Sequence, residues 1–532
     1  IDLVWKLAHR SGFNPLYNWQ IAINQFLTEH SSYKDTLTVI LKRPFSSRGD
    51  FTFDIAIPKP KRFLATSIEG TLARYIAVVI YNLTTTFGAT ELYITTPSLD
   101  LFKEVRNALY DPPLGGPRGL WNYLENVYRI KEFKIIPKES KQEALRDLAP
   151  NKVKPVSFNL NSLKGKNIVA IDLGGTDIKL AVLIDGELVL AGEVNWSPKI
   201  DFDEPEQIVD YLLTLIEDTA DKAGLAMREV HAISISTAGA VVNNFISMPS
   251  QEITGGIKDK YGKDANRIIQ ERFSNLTEII RQKINIPAFA ANDGDVLALV
   301  LATDFNKTSS VGLSFGTGLA AGITDKNGQL ADYISEMGNF IIDMNPNAFG
   351  HSFSKTPGAA QQYLSQRPVV DIGRLTEETY QRLVAENDPQ EARAKFNLKV
   401  LHEQYKTDSG KPDVKVILAY IQKLLLDDNP KVRTEAENLF KQIGDYLASF
   451  ALALSPYLNI ENVSIVGRVV AVSPEAAQKL SYEPNDSSGK IIRGRAQQLL
   501  GTNIEVNIPE LSDENVAVIQ AIGAAYLAAQ QL

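Results

Sequence analysis

The sequence predicts an α/β protein whose core holds two related lobes facing one phosphate chain. Three observations predict it. An apolar run from Ile168 to Ile171 enters Asp172-Leu173-Gly174-Gly175-Thr176-Asp177, and a second from Ile178 to Ile184 leaves it. Asp185-Gly186 then turns the chain into a third run, Glu187 to Val194. This reads as strand, glycine turn, strand, Asp-Gly hairpin, strand. A second unit of the same kind follows: Ser309 to Phe315, then Gly316-Thr317-Gly318, then Leu319 to Thr324 and the turn Asp325-Lys326-Asn327-Gly328. Finally, Leu439, Ile443, Leu447, Phe450 and Leu454 recur at helical spacing over about 434–454, the stripe of a core helix.

Taken from the N-terminus, residues 1–162 read as an α/β extension. It has a helix from Asn18 to His30 and a strand alternating at Phe51, Phe53, Ile55 and Ile57. A longer helix over Ile68 to Phe87 precedes a strand, Glu91 to Thr95. Ser98 reads as the N-cap of a helix running to about Tyr110, and Asp111 to Gly119 is a Pro/Gly loop. No helix-turn-helix is legible there, and an interface or docking module is the expectation over a second active site. A polar, Pro-containing linker falls near Asn151 to Lys166.

The glycine hairpins carry the first chemistry. Paired glycines let backbone approach a bulky anion, and turn N–H groups can cradle phosphate oxygens. Asp172, ending a buried strand, can hold a hydrated Mg²⁺. The segment is not a P-loop, and no GxxxxGK[ST] occurs in the chain. Taken alone, each hairpin also reads as a glycine turn that binds nothing. Beyond the second one, a helical insertion spans about Leu375 to Asn429. Its charges (Glu377, Glu378, Arg382, Glu391, Arg393, Lys395) describe a solvated face.

Composition bounds the classes. At 532 residues the chain has room for about three compact units. A hydrophobic fraction of 44% and a charged fraction of 22% suit a globular protein. A net charge of −8 argues against nucleic acid as the partner, since phosphate-backbone binding needs clustered Lys and Arg. With no cysteine, disulfides and thiolate metal sites are excluded. The apolar run Tyr75 to Tyr81 is too short to span a bilayer, no signal-peptide pattern opens the sequence, which starts at Ile1, and a cytoplasmic, non-membrane protein is expected.

Ordered motifs sharpen this. Asp172 to Lys179 fits DxGGTxxK in full. Ser236-Thr237-Ala238-Gly239-Ala240-Val241 fits S-x-P-G-x-V with Ala238 for Pro, and Ala291-Asn292-Asp293-Gly294-Asp295 is close to E-N-D-x-N. Gly316-Thr317-Gly318 gives a second phosphate loop, and Ser335-Glu336-Met337-Gly338-Asn339 is close to A-G-E-x-G-H. Ser455 to Val469 is close to D-P-E-x-I-V-I-G-G-G-V, and Gly523-Ala524-Ala525-Tyr526-Leu527-Ala528 to a closing helix. From about Asn167 to Leu532, the chain thus resembles the ROK group (repressors, open reading frames and sugar kinases) of the actin/hexokinase/Hsp70 superfamily.

The resemblance implies two actin-like (ribonuclease H-like) lobes with a cleft between them. The small lobe would span 163–295, rejoined by a closing helix over 515–532, and the large lobe 296–514. It implies ATP-dependent phosphorylation of a hexose or hexose-derivative hydroxyl, with ATP and Mg²⁺. Asp293 would be the general base, taking the hydroxyl proton; without the resemblance it reads as an N-cap of a helix starting near Val296. Asn292, Glu336, Asn339 and Gln361 would meet the sugar. Asp172, Gly174, Gly175, Thr176, Lys179, Gly316, Thr317, Gly318, Gly467 and Arg468 would line the nucleotide and its phosphates. Lys179 reads equally as a surface strand lysine. Gly467 would let backbone approach adenosine, and Arg468 would stack on adenine, contact phosphate or point outward.

The departures bear on specificity. The group commonly carries a zinc held by one His and three Cys. Here Asn339 replaces the His and 343–351 holds no Cys, so no structural zinc is expected. His351 alone reads as a surface or core histidine. Gln361 stands where a sugar-contacting Glu would be, keeping hydrogen bonds without the charge. Two rivals stay open: a non-catalytic sugar or nucleotide sensor, and an ATPase acting on a protein partner. A homo-oligomer or a protein partner through the extension also stays open.

Overall fold

The computed structural model describes residues 12–46, 48–59, 68–110, 119–146, 148–150, 163–175, 177–352, 354–407, 410–509 and 513–532. The loop over 111–118, the linker over 151–162 and Thr176 lie outside the described residues.

The extension builds a four-stranded sheet. Its helices are α1 (Leu16–Glu29), α2 (Ile68–Phe87), α3 (Leu99–Tyr110) and α4 (Leu120–Tyr128). Its strands β1 (Lys34–Lys42), β2 (Phe51–Pro58), β3 (Glu91–Thr95) and β4 (Lys134–Lys138) run in the order β2-β1-β3-β4. The Ser98 hydroxyl accepts from the Leu101 amide at 3.1 Å, the cap expected of α3. From Leu72 to Phe87, helix α2 is mostly apolar and, Arg74 apart, buried all round. There Ile76, Val79 and Leu83 share one core with Phe340, Ile342, Leu447 and Phe450. The Asn82 side chain acts as a strand partner, donating to the Ile341 carbonyl at 2.9 Å and accepting from its amide at 2.7 Å. The extension is therefore fused to the body through a common core, not tethered beside it.

The second sheet carries β5 (Asn167–Leu173), β6 (Asp177–Ile184), β7 (Glu187–Asn195), β8 (Ala232–Thr237) and β11 (Ala288–Asn292), ordered β11-β8-β5-β6-β7. β5, β6 and β7 form an antiparallel meander, and β8 and β11 add in parallel. Helix α5 (Pro205–Lys222) covers one face, its Ile208, Leu212 and Ile216 lying on Val169, Ile171 and Val182. A short hairpin, β9 (Gly239–Val242) and β10 (Phe245–Pro249), follows β8 and leads to helix α6 (Gln251–Tyr261). From β11 the chain passes directly into helix α7 (Asp293–Asp304).

The third sheet repeats the scheme. β12 (Ser310–Phe315) and β13 (Leu319–Thr324) form the antiparallel pair, and β14 (Asn462–Val466) and β15 (Glu505–Asn507) add in parallel, in the order β13-β12-β14-β15. Apart from the third meander strand, this is the order of the second sheet, as the actin-like expectation requires. Between β13 and β14 come α8 (Arg374–Ala385), α9 (Val414–Lys423) and the long α10 (Pro430–Leu454). Leu439, Ile443, Leu447, Phe450 and Leu454 of α10 are buried, as their spacing predicts. α11 (Ser487–Leu500) lies between β14 and β15. The last helix, α12 (Asp513–Gln531), packs Val518, Ile522, Ala525 and Leu527 with Ile168, Ala170, Ala181 and Ala232 of the second sheet. Alanines on that sheet face let the helix lie close.

The insertion is less solvated than its charges suggest. Glu377, Glu378, Arg382 and Glu391 are exposed, but Arg393 and Lys395 are half-buried. Lys395 pairs with Asp427 at 2.7 Å, and Arg382 pairs with the buried Glu435 of α10.

Candidate functional site

The first glycine turn joins β5 to β6. Register places Asp172 opposite Lys179 on β6 and opposite Ser236 on β8, so the three side chains share one face. Ser236 Oγ donates to Asp172 Oδ1 at 2.6 Å. Lys179 Nζ stands 3.6 Å from Asp172 Oδ2 and donates to Asp177 Oδ1 at 2.6 Å. Burial pushes the Asp172 carboxyl up, and Lys179 and Ser236 pull it partly back. Burial would lower Lys179, but Asp172 and Asp177 outweigh it and the net shift is upward. Lys179 is thus half-buried between two carboxylates rather than a surface lysine. The turn is closed by the Gly174 amide donating to the Asp177 carbonyl at 3.0 Å, and by Trp196 Nε1 donating to the Gly174 carbonyl at 3.0 Å. A Cβ on Gly175 would stand 2.5 Å from Glu252 Cβ at the start of α6, so only glycine fits at the tip.

The second glycine turn joins β12 to β13, with the Gly316 amide donating to the Gly318 carbonyl at 3.1 Å. Thr317 is exposed at its tip. It lines a cavity of about 610 Å³ together with Arg468, Gln366, Arg367, Ser473 and Lys479. Arg468 is lowered by its burial and raised by Asp177 of the first hairpin and by Glu475 and Asp413. It is half-buried and lines the cavity that Thr317 also lines. The insertion supplies Thr407, Asp413, Val414, Lys415 and Val416 to the same cavity, which its charge pattern did not reveal. Gly467 has φ +109°, and a Cβ there would stand 2.7 Å from the Phe315 carbonyl oxygen. Its glycine is demanded by the crossing of β14's end over β12's end, a reason internal to the chain.

Asp293 opens α7. Asn292, not Asp293, is the N-cap: its Oδ1 accepts from the Gly294 amide at 2.8 Å, and its Nδ2 donates to the Gly239 carbonyl at 2.8 Å. The helix starts at Asp293, ahead of the start expected near Val296. Burial first, then the charge of Asp172 and that of Glu336, raise the Asp293 carboxyl to about 7; the Gly294 amide offsets part of this. Asp295 is pushed well above the carboxylate range by burial, then by Asp332, Asp293 and Glu336.

Glu336, Asn339 and Gln361 converge on a cavity of about 210 Å³, lined also by Leu319, Gly338, His351 and Ser354. Burial raises Glu336. Asn339 Oδ1 accepts from Ser354 Oγ at 2.7 Å, and Gln361 Oε1 accepts from Ser352 Oγ at 2.9 Å. The Gln361 amide nitrogen lies 3.1 Å from where a Cβ would stand on Gly318, which joins this cavity to the second glycine turn. His351 is a lining residue that the sequence reading set aside. Its Nδ1 accepts from the Ser354 amide at 3.1 Å, leaving the proton on Nε2, and burial lowers its pKa to about 4. Leu120 and Tyr123 of α4 complete the lining, and the Tyr123 hydroxyl donates to Glu336 Oε1. No sequence signal pointed to them, because they lie outside the segments that carry the family resemblance.

Among the described residues, no group of three or more His, Cys, Asp or Glu side chains could hold a metal ion, and no helix is long and apolar enough to cross a membrane.

An α/β protein with two sheets of one strand order, a glycine turn in each, and a half-buried aspartate at the start of α7 defines the class. Residues 168–345 match the ROK family, so the chain carries a ROK family domain. Solved structures similar to it include the ROK hexokinase from Thermus thermophilus, at 17% identity, covering 69% of this chain and 100% of that one, with a TM-score of 0.44. A ROK family glucokinase from Streptomyces griseus, in complex with glucose and AMPPNP, is 19% identical, covers 68% and 99%, and scores 0.44. A ROK family transcriptional regulator, a homolog of the E. coli MLC protein, is 18% identical, covers 73% and 84%, and scores 0.42. Among curated proteins, no sequence relative matches the chain.

Proposed function

We propose that this chain is an ATP-dependent sugar kinase with Asp293 as general base. The observation that carries the reading is the Asp293 carboxyl. It sits partly buried at the start of α7, and loss of water, then the charges of Asp172 of the first glycine turn and Glu336 of the smaller cavity, push it up to about 7. A base with that pKa is poised between proton acceptance and release at neutral pH.

Glu336, Asn339, Gln361 and His351 would hold the acceptor sugar in the smaller cavity. Asp293 would take the proton of the acceptor hydroxyl as it attacks phosphorus. The amides of Gly174, Gly175, Gly316 and Gly318, with Thr176, Thr317, Lys179 and Arg468, would hold the phosphate chain. Asp172 retains lone pairs beyond its bonds to Ser236 and Lys179, and would hold Mg²⁺ through water. That suits an ion bound mostly by phosphate and water oxygens rather than by a protein cage. When bound, the ion neutralises phosphate charge. In this reading residues 1–162 are the extension, 163–295 the small lobe rejoined by α12, and 296–514 the large lobe. The reaction would run in the cytoplasm.

A second reading is a sugar-binding sensor of the same fold. It is favoured by the Tyr123 hydroxyl, which already occupies Glu336. ADP release with Mg-ATP against hexoses, ketohexoses and N-acylated amino sugars separates the two. A sugar-dependent rate that Asp293→Asn abolishes supports the kinase; saturable sugar binding without ADP supports the sensor.

A further inference from the structure

Helix α4 (Leu120–Tyr128) belongs to the extension, yet it stands at the proposed sugar cavity. Leu120, 2% exposed, and Tyr123 line that cavity beside Glu336, Asn339, His351 and Gln361. The helix is fixed from both sides. On one side, the Tyr123 hydroxyl donates to Glu336 Oε1, and Glu336 is itself held because the Ser335 and Glu336 amides donate to the Thr86 and Thr85 carbonyls of α2 at 3.1 and 2.9 Å. On the small-lobe side, Arg129 at the end of α4 sets its guanidinium 3.4 Å from the centre of the Phe245 ring on β10. Tyr128 stacks on Phe45 at 4.1 Å, and the Phe45 carbonyl accepts from Asn243 Nδ2 at 2.9 Å. A wall held at both ends cannot give way to a larger ligand without breaking these contacts. The cavity behind it holds about 210 Å³, and the side chains of Leu120 and Tyr123 bound it on the extension's side.

We propose that α4 is the outer wall of the acceptor pocket and that Tyr123 is a specificity-determining residue that admits unsubstituted monosaccharides and rejects those with a bulky substituent. This rests on the sugar-kinase reading of the same site. Two features make Tyr123 suited to it. Its ring supplies rigid bulk at little entropic cost, and its hydroxyl fixes the Glu336 carboxylate against which a sugar hydroxyl would be measured. Burial, and then Glu336, hold the phenol well above its ordinary range, so it stays protonated and donates.

The test is binding calorimetry on the full chain with glucose and N-acetylglucosamine, for the wild type, Tyr123→Phe and Tyr123→Ala, with phosphorylation assayed in parallel. The wild type is expected to prefer glucose. Tyr123→Ala is expected to shift the affinity ratio toward N-acetylglucosamine by tenfold or more. Tyr123→Phe, which keeps the bulk, is expected to hold the ratio within twofold. An unchanged ratio in Tyr123→Ala overturns the proposal, and leaves the kinase reading standing if phosphorylation persists. A shifted ratio in binding with no phosphorylation by any form supports the wall and sinks the kinase reading. Absence of sugar binding by all three forms overturns both.

Discussion

Asp172 ends β5, Asp293 begins α7, and the charge of the first adds to burial in raising the carboxyl of the second to about 7. The two carboxylates stand at the ends of elements that belong to one sheet, β5 and β11 each flanking β8. Their separation of roles follows from their partners. Asp172 has Ser236 and Lys179 to favour its ionised form, whereas Asp293 has the Gly294 amide and, among the described residues, no ion pair.

The first consequence is kinetic. If Asp293 is the base, the sugar-dependent rate rises with pH through about 7 and levels off above it. Asp293→Asn loses on the order of 10²- to 10⁴-fold in kcat with a smaller change in KM. A full pH-rate profile of both forms checks this, and a wild-type rate flat between pH 6 and 8 would refute it.

The same carboxyl costs stability when ionised. Its folded pKa, about 7, lies above an unfolded value near 3.9. The unfolded chain therefore releases its proton first, and stability falls as pH rises from about 4 to about 7. At three units the loss is at most about 4 kcal/mol, shared with Asp172 and Glu336. Asp293→Asn keeps an oxygen for the Gly294 amide but has no charge. It should raise the Tm at pH 8 and leave it nearly unchanged at pH 4.5.

His351 acts in the opposite direction. Its folded pKa, about 4, lies below the ordinary 6.5. The unfolded chain takes up the proton first on acidification, so stability falls as pH drops from about 6.5 toward 4. Over 2.5 units that amounts to about 3 kcal/mol. His351→Gln, measured by urea unfolding at pH 7.5 and pH 5, should show a flatter pH dependence than the wild type.

Gly467→Ala meets two penalties: a φ of +109°, and the Phe315 carbonyl oxygen 2.7 Å from the new Cβ. A loss of about 2 kcal/mol or more is expected. Gly192, on β7, has nothing within 4 Å of a built Cβ and serves as the control. Comparable unfolding midpoints for the two alanine variants would contradict this account.

Zinc removal should change nothing. The chain has no cysteine, and Asn339 bonds to Ser354 where a zinc-binding histidine would stand. Treatment with a zinc-selective chelator is expected to leave the Tm and any sugar binding within error.

Much of the fold was legible because its signals are local. The Asp-Gly hairpin, the apolar runs beside Gly174 and Gly316, the Ser98 cap and the α10 stripe each follow from residues within a few positions of one another. Two sheets of one strand order follow from two such units. Of the proposed site, Asp172, Lys179 and Asp293 came from motifs within a few residues of one another. What the sequence could not supply was contact between distant segments. The cap of α7 moved to Asn292 because Gly239, 53 residues away, takes its amide. Lys395 proved half-buried and paired because Asp427 folds against it, and the exposed Arg382 pairs with Glu435 of α10. Tyr123 meets Glu336 across 213 residues, through a core that α2 shares with Phe340, Ile342 and α10. Burial decides the rest. Loss of water pushes Asp293 up to about 7 and His351 down to about 4, and a linear sequence does not state which side chains lose their water.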